Sequence, residues 1–235
     1  MEVEKLLNGM MWYVVFLFST TVHEAAHAFA AMKLGDNTAF HGGQVTLNPA
    51  PHIQREPLGM VIVPILSLLA GGFMIGWAST PYDPYWAERY PKRSAWMSLA
   101  GPASNLLLVL LSALVIRIGM LAGYFIEPDS INFTHVAATP NDSGMFLAVA
   151  MLLSIMFTLN LLLFTFNLLP FPPLDGSGAL PLLLKEETAL NYLNFINNSN
   201  FSFIGLFIAW NIFDKVFDPV HLMAINLLYP GAGYH

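Results

Sequence analysis

The sequence predicts an all-α membrane protein: a polytopic transmembrane helix bundle with a re-entrant segment and a short membrane-associated β element, forming one domain over residues 1–235. Three observations lead to this fold class. The 235 residues are 56% apolar and only 10% charged, whereas soluble domains are roughly 25% charged. The mean hydropathy is +0.59. Several apolar stretches also approach the roughly 20 residues that a helix needs to cross a bilayer.

The predicted elements follow one another along the chain. Spanning helices are expected over about residues 10–34, 94–124, 144–169 and 200–217. Between the first two, the apolar segment 58–77 is interrupted by proline and glycine, and it is either re-entrant or spanning. The β element is an alternating run within residues 41–48, which Pro49 and Pro51 would end.

Composition excludes some classes of function. The net charge is −6, and no basic tract is present, which argues against nucleic-acid binding. The chain has no cysteine, so it forms neither disulfides nor thiolate metal sites.

One motif dominates the first apolar helix, where His23, Glu24 and His27 form the pattern HExxH. Glu24 is the only formally charged residue between Met10 and Met32. Residues four apart share one face of a helix, so both imidazoles can bind one metal ion. The Glu24 carboxylate lies close enough to act on a water molecule at that metal. Polar groups in a membrane segment are costly, and zinc chemistry supplies a reason for them.

The third ligand of such a site must come from another segment, because a catalytic zinc needs three protein ligands and an open position. Asp175 is the best candidate. It follows the proline-rich stretch 170–173 and precedes Gly176. Non-helical backbone at membrane depth is tolerated where it lines a cavity, and an ionisable residue there is a functional candidate.

Three motifs together resemble a known family. HExxH at 23–27 is followed by GPASN at 101–105 and by NLLPFPPLDG at 167–176. Over about residues 10–180 the chain resembles the site-2 protease family of intramembrane zinc metalloproteases, peptidase family M50. The resemblance implies one catalytic Zn²⁺ ion bound by His23, His27 and Asp175, with Glu24 as the catalytic acid and base. It also implies that Asn167 lies near the scissile carbonyl as a substrate or oxyanion partner.

The same resemblance carries expectations about partners and location. The chain is similar to the short bacterial and archaeal members, without room for a PDZ or CBS domain. The implied substrates are transmembrane proteins or leftover signal peptides in the lipid bilayer of a prokaryotic cell. The oligomeric state stays open.

The position of Asp175 constrains the topology. In the family, the HExxH helix and the Asp-Gly segment run parallel with one spanning helix between them, whereas two apolar segments intervene here. The simplest resolution is that 58–77 turns back within the membrane, with Gly71 and Gly72 near the turn. This arrangement places six of the nine lysines and arginines on one side, against five if the segment spans. The positive-inside rule then places the zinc toward the cytosol.

Several alternatives remain beside this interpretation. Asn105 is either a further substrate or oxyanion partner or an interhelical hydrogen-bond partner. His52 is a loop or interfacial residue, or it has a substrate or metal role. The predicted strand around 45–47 could hold an unwound substrate by strand addition. The rival classes are a prenyl-protein protease with a downstream glutamate ligand, and a non-proteolytic membrane transporter or metal-ion carrier.

Overall fold

The computed structural model describes residues 2–71, 74–141, 144–197 and 201–235. A π-helical turn, Leu58–Ile62, precedes α4, and a 3₁₀ turn, Leu180–Leu183, follows α8. The α-helices in chain order are α1 (Glu2–Leu34), α2 (Thr38–His41), α3 (Pro49–Arg55), α4 (Val63–Gly71), α5 (Pro84–Arg89), α6 (Pro91–Leu121), α7 (Met145–Asn167), α8 (Asp175–Ala179), α9 (Glu186–Asn197) and α10 (Phe201–Leu228).

Three helices are long and apolar enough to cross a membrane, namely α1 over Leu7–Leu34, α6 and α7. The helices α3 and α4 would add a fourth crossing only if they formed one span, and they meet at a bend of 111°. The predicted multi-pass helical membrane protein is therefore confirmed, while the span predicted over 200–217 stays a prediction.

Helix α6 runs antiparallel to both α1 and α7. At one end of the bundle, the Arg93 guanidinium near the start of α6 donates to the carbonyl of Leu34, the last residue of α1, at 3.1 Å. At the other end, Tyr124 just after α6 stacks on Phe146 in the first turn of α7, with ring centroids 4.5 Å apart. Helices α1 and α7 thus run parallel, which is the arrangement that the depth argument for Asp175 requires.

The apolar segment 58–77 reverses direction. Helix α4 leads away from α3, and the chain then returns without helical structure over residues 74–83, which we call the return segment. The backbone N–H of Trp77 donates to the Gly59 carbonyl at 3.1 Å, so the two ends of the segment lie side by side. A Cβ atom at Gly59 would lie 2.2 Å from the Trp77 carbonyl oxygen, so only glycine permits this approach. Of the predicted turn glycines, Gly71 ends α4 and Gly72 lies outside the described residues.

The predicted β element is wrong, since none of the described residues belongs to a strand. Residues 42–48 form turns and bends between α2 and α3. The alternating pattern was outweighed by strong helix-start signals on its C-terminal side. The Asn48 side chain accepts a hydrogen bond from Ala50 N at 3.0 Å, and Pro49 occupies the first turn of α3, both of which favour a helix N-terminus. The strand-addition role for 45–47 loses its basis.

The C-terminal helix is longer than the sequence indicated. The sequence predicted a helix over about 200–217, but α10 continues from Phe201 to Leu228 through Pro219. Ala209 and Ile225 of this helix are buried. The second of them joins the apolar core that α10 shares with α6 and α7, which includes Ile116 and Phe157.

Candidate active site and metal centre

Two histidines and one aspartate converge between α1, α6 and α8. The Nε2 atoms of His23 and His27, one helical turn apart on α1, are 3.0 Å from each other. Asp175 completes the triangle, with Oδ2 3.0 Å from His23 Nε2 and Oδ1 3.3 Å from His27 Nε2. Both histidines are buried, at 7% and 5% exposed. The structure thus brings together the three residues that the sequence singled out as ligands.

Hydrogen bonds on the far sides of the imidazoles fix their tautomers. His23 Nδ1 lies 2.5 Å from Asn105 Oδ1, and His27 Nδ1 lies 2.7 Å from the Met97 carbonyl oxygen. The Met97 carbonyl oxygen can only accept a hydrogen bond. The Asn105 side chain also presents its oxygen to His23, because its amide nitrogen donates to Asn160. Each Nδ1 therefore carries a proton. Both Nε2 lone pairs therefore point into the same small volume as a carboxylate.

Such a convergence of electron pairs fits a bound cation. Two lone-pair nitrogens about 3 Å apart repel each other unless a positive charge lies between them. Tetrahedral zinc with bonds of about 2.0–2.1 Å separates its ligand atoms by roughly 3.3 Å, close to the three distances observed here. The nitrogen and oxygen donors are ones that zinc accepts. The cluster of His23, His27 and Asp175 can hold one metal ion.

Gly101 makes room for this cluster on α6. A Cβ atom at this position would lie 2.3 Å from His27 Nε2 and 2.5 Å from His23 Nε2. Any side chain would therefore occupy the volume into which the imidazoles point. The first residue of the GPASN motif is glycine because the backbone of α6 passes directly beside the metal ligands.

A buried network of hydrogen-bonded side chains supports His23 on the Nδ1 side of its ring. Asn105 Nδ2 donates to Asn160 Oδ1 at 2.8 Å, and Asn160 Nδ2 donates to Ser19 Oγ at 2.9 Å. All three side chains belong to residues with 0% exposure, and they join α6, α7 and α1. Because an amide in an apolar interior must find hydrogen-bond partners, this network fixes the positions of the three helices relative to one another along their axes. The structure therefore places Asn105 behind His23, away from solvent.

Asp175 owes its position to the turn that follows α7. The chain leaves α7 after Asn167, reverses over 168–174 and begins α8 at Asp175. The Lys92 ammonium at the start of α6 donates to the carbonyls of Pro181 at 2.7 Å and Leu182 at 3.1 Å. This contact secures the 3₁₀ turn after α8 against α6, and with it the carboxylate beside His23.

Glu24 lies at 5% exposure next to the cluster. Its Oε2 atom accepts a hydrogen bond from the Thr80 hydroxyl at 2.7 Å, and that hydroxyl also lies 3.0 Å from the Glu24 carbonyl oxygen. No motif in the sequence pointed to Thr80, which lies in the return segment. A threonine in a polar loop has no periodicity that would mark it.

Two other predicted candidates lie apart from the cluster. Asn167, the last residue of α7, donates through Nδ2 to the Leu163 carbonyl at 3.0 Å within the same helix. His52 is buried in α3, and its Nε2 lies 3.1 Å from the Thr46 carbonyl oxygen. Within the described parts of the chain, neither residue belongs to the group that can hold a metal.

Comparison with known proteins identifies relatives over most of the chain. The family model described as "Peptidase family M50" matches residues 11–210. The "Putative zinc metalloprotease YwhC" of Bacillus subtilis is 35% identical over 172 residues, which cover 72% of this chain and 68% of that protein.

Mycobacterial relatives show a similar likeness. The "Putative zinc metalloprotease Rip2" of Mycolicibacterium smegmatis is 29% identical, and that of Mycobacterium tuberculosis is 31% identical. Each match covers 74% of this chain but only 57% of the relative, so the chain spans little more than half the length of these proteins. No solved structure matches the chain. The converging donors at the HExxH helix and the extent of the family match lead to one conclusion: the chain belongs to peptidase family M50 and is a zinc metalloprotease.

Proposed function

We propose that the protein hydrolyses peptide bonds within or beside the transmembrane segments of membrane-protein substrates. The observation that carries this proposal is the depth of the cluster on α1. His27 and His23 precede the last residue of the helix, Leu34, by 7 and 11 positions, or roughly 10 and 16 Å at about 1.5 Å per residue. Both lie inside the stretch Leu7–Leu34, which is apolar enough to span. A bilayer core is about 30 Å thick, so the chemistry would take place at membrane depth.

The residues of the cluster have separate proposed roles. His23, His27 and Asp175 would hold the zinc, which when bound would polarise the scissile carbonyl and lower the pKa of a water molecule at the site. Glu24 accepts the proton of the attacking water and returns it to the leaving amine nitrogen. Its burial supports this role, since a carboxylate with few water neighbours is available to the reacting groups.

Asn105 acts as a positioning residue in this proposal. By accepting from His23 Nδ1–H, it keeps the other nitrogen of the ring free for the metal. The Met97 carbonyl does the same for His27. The complete burial of Asn105 supports this role over direct contact with substrate.

Asn167 remains the candidate for contact with the substrate carbonyl. It is half-buried at the point where the chain leaves α7 and turns toward Asp175. Among the described residues, its side-chain amide donates to the Leu163 carbonyl of its own helix, and it can exchange that bond for one to a substrate oxygen.

We further propose that the segment 58–77 is re-entrant. Its two ends are joined by the Trp77–Gly59 hydrogen bond, and a span would place them on opposite sides of the bilayer. With this segment re-entrant, the positive-inside rule orients the zinc toward the cytosol of a prokaryotic cell. Labelling of cysteines introduced at 36–57 and 78–93 tests this topology, and labelling from opposite sides of the membrane would contradict it.

The activity is tested with a purified model transmembrane substrate in detergent, with cleavage sites mapped by mass spectrometry. Cleavage is expected within or next to the apolar segment. Glu24→Gln should lower kcat by about 10²–10⁴-fold, and Asp175→Asn should lower zinc content as well. Glu186→Gln, at an exposed position of α9, serves as the matched control and should retain full activity. Full activity of Glu24→Gln, or cleavage confined to soluble parts of the substrate, would refute the proposal.

A further inference from the structure

The return segment passes directly over the proposed catalytic base. Thr80 Oγ donates to Glu24 Oε2 at 2.7 Å. The other carboxylate oxygen, Oε1, accepts no hydrogen bond from any residue that the structure describes. One oxygen of Glu24 is thus held in place while the other remains available to receive a proton. This is the arrangement that a base needs if its carboxylate is to keep one orientation.

Anchors on the α3 side hold the return segment firmly enough for Thr80 to act as a fixed donor. The Ser79 hydroxyl donates to Glu56 Oε1 at 2.5 Å, and the Arg55 Nε–H donates to the Ser79 carbonyl at 3.1 Å. Trp77 adds the backbone bond to Gly59.

A further anchor lies on the other side of Thr80. Asp83 N donates to Asp36 Oδ2 at 2.9 Å. Pro81, which follows Thr80 directly, restricts the backbone further because its φ is fixed. The donor atom is therefore positioned by contacts on both sides.

We propose that Thr80 is a positioning residue that fixes the orientation of the Glu24 carboxylate during peptide hydrolysis. This inference rests on the proposed role of Glu24 as the base. A glutamate on a helix has several accessible rotamers, and only some of them present an oxygen to the water that attacks the substrate. The hydroxyl of Thr80 selects one of them. Thr80 forms no hydrogen bond to His23, His27 or Asp175, so its role is separate from metal binding.

The kinetic test compares Thr80→Val with Thr80→Ser. Valine has nearly the same shape but no hydroxyl, and serine restores the hydroxyl. We expect Thr80→Val to lower kcat by about 10–100-fold, the range typical of partners that orient a functional group, with KM and zinc affinity within about twofold of wild type. Thr80→Ser should recover most of the lost kcat.

Thr158→Val is the matched control, because Thr158 is fully buried on α7 and its hydroxyl has no partner among the described residues. The control should behave as the wild type. If Thr80→Val does not fold, Thr80→Ala removes the same hydroxyl with less bulk and takes its place. Unchanged kcat in the variant without the hydroxyl would overturn the inference. So would a loss of kcat that is accompanied by an equal loss of zinc affinity, since the residue would then support the metal site as a whole.

A binding measurement separates this inference from the proposed function. A hydroxamate chelates zinc through its two oxygen atoms and brings an ionisable O–H group next to the base carboxylate. Calorimetry with acetohydroxamate and the zinc-loaded protein should show weaker binding for Thr80→Val, by about 10-fold or more, and recovery for Thr80→Ser. This result is expected even if no transmembrane substrate is cleaved. Equal affinities of wild type and Thr80→Val would overturn the role of Thr80 while leaving intramembrane cleavage untouched.

Discussion

The two faces of α6 show opposite ways of filling a helix interface. One face carries three residues at intervals of four that contact the histidines of α1. The Met97 carbonyl bonds to His27, and the Asn105 amide bonds to His23. Between them, Gly101 leaves room for both rings because it has no side chain. The opposite face, including Leu110 and Ala113, lines a cavity of about 530 Å³ between α6, α7 and α10. The first face is polar and tightly filled, whereas the second is apolar and loosely filled.

This difference separates chemistry from stability. Each polar group on the first face has a specific partner, and loss of one partner leaves another buried group unsatisfied, at about 1–3 kcal/mol. Contacts on the second face are individually weak and interchangeable. Substitutions on the first face should therefore change metal binding, and substitutions on the second should change only stability.

The largest effect is expected from Gly101→Ala. The added methyl group would lie 2.3 Å from His27 Nε2, so α1 and α6 must separate or the imidazole must turn away. Zinc affinity, measured by competition with a chelator, should fall by more than about 100-fold, beyond the range for partners that only orient a ligand. Ala103→Ser, on the exposed side of the same turn, is the control. Tight zinc binding by Gly101→Ala would show that the two faces do not differ as described.

A smaller effect is expected from Asn105→Leu. Leucine fills a similar volume but cannot accept the His23 Nδ1–H hydrogen bond, so His23 loses both its orientation and its preferred tautomer. We expect zinc affinity to fall by about 10–100-fold. Asn211→Leu makes the same change at an exposed position of α10, where the amide donates to the Phe207 carbonyl of its own helix, and should leave zinc affinity unchanged. If both variants bind zinc like the wild type, Asn105 has no positioning role.

The sequence predicted the parts of the site that depend on spacing. His23, Glu24 and His27 are recognisable because a helix places positions i and i+4 on one face. Asp175 was recognisable from its proline-rich context. The depth that it requires is the basis of the re-entrant prediction for 58–77, which the Trp77–Gly59 contact supports.

Other parts of the site could not be predicted from the sequence. The Met97 carbonyl could not be predicted, since every residue has one and only the packing of α6 on α1 selects it. Thr80 reaches Glu24 across 56 positions of sequence, through a segment without regular structure. The wrongly predicted β element shows the opposite error, in which a pattern was present but misleading. A short alternating run is weak evidence for a strand, and the helix-start signals of Asn48 and Pro49 outweighed it.

The smallest effect on zinc binding is expected from Val109→Ala on the apolar side of α6. Val109 is buried in the apolar core shared by α6, α7 and α10, and with Phe157 it lines the cavity between them. Removing its two methyl groups should lower the free energy of unfolding in detergent micelles by about 1.5 kcal/mol or more, at about 0.8 kcal/mol per buried carbon. Zinc affinity and kcat should stay at wild-type values, because no polar partner is lost and the neighbouring side chains can relax into the adjoining cavity. A fall in zinc affinity comparable to that of Asn105→Leu would mean that the bundle transmits packing changes to the metal site, and the separation of the two faces would then fail.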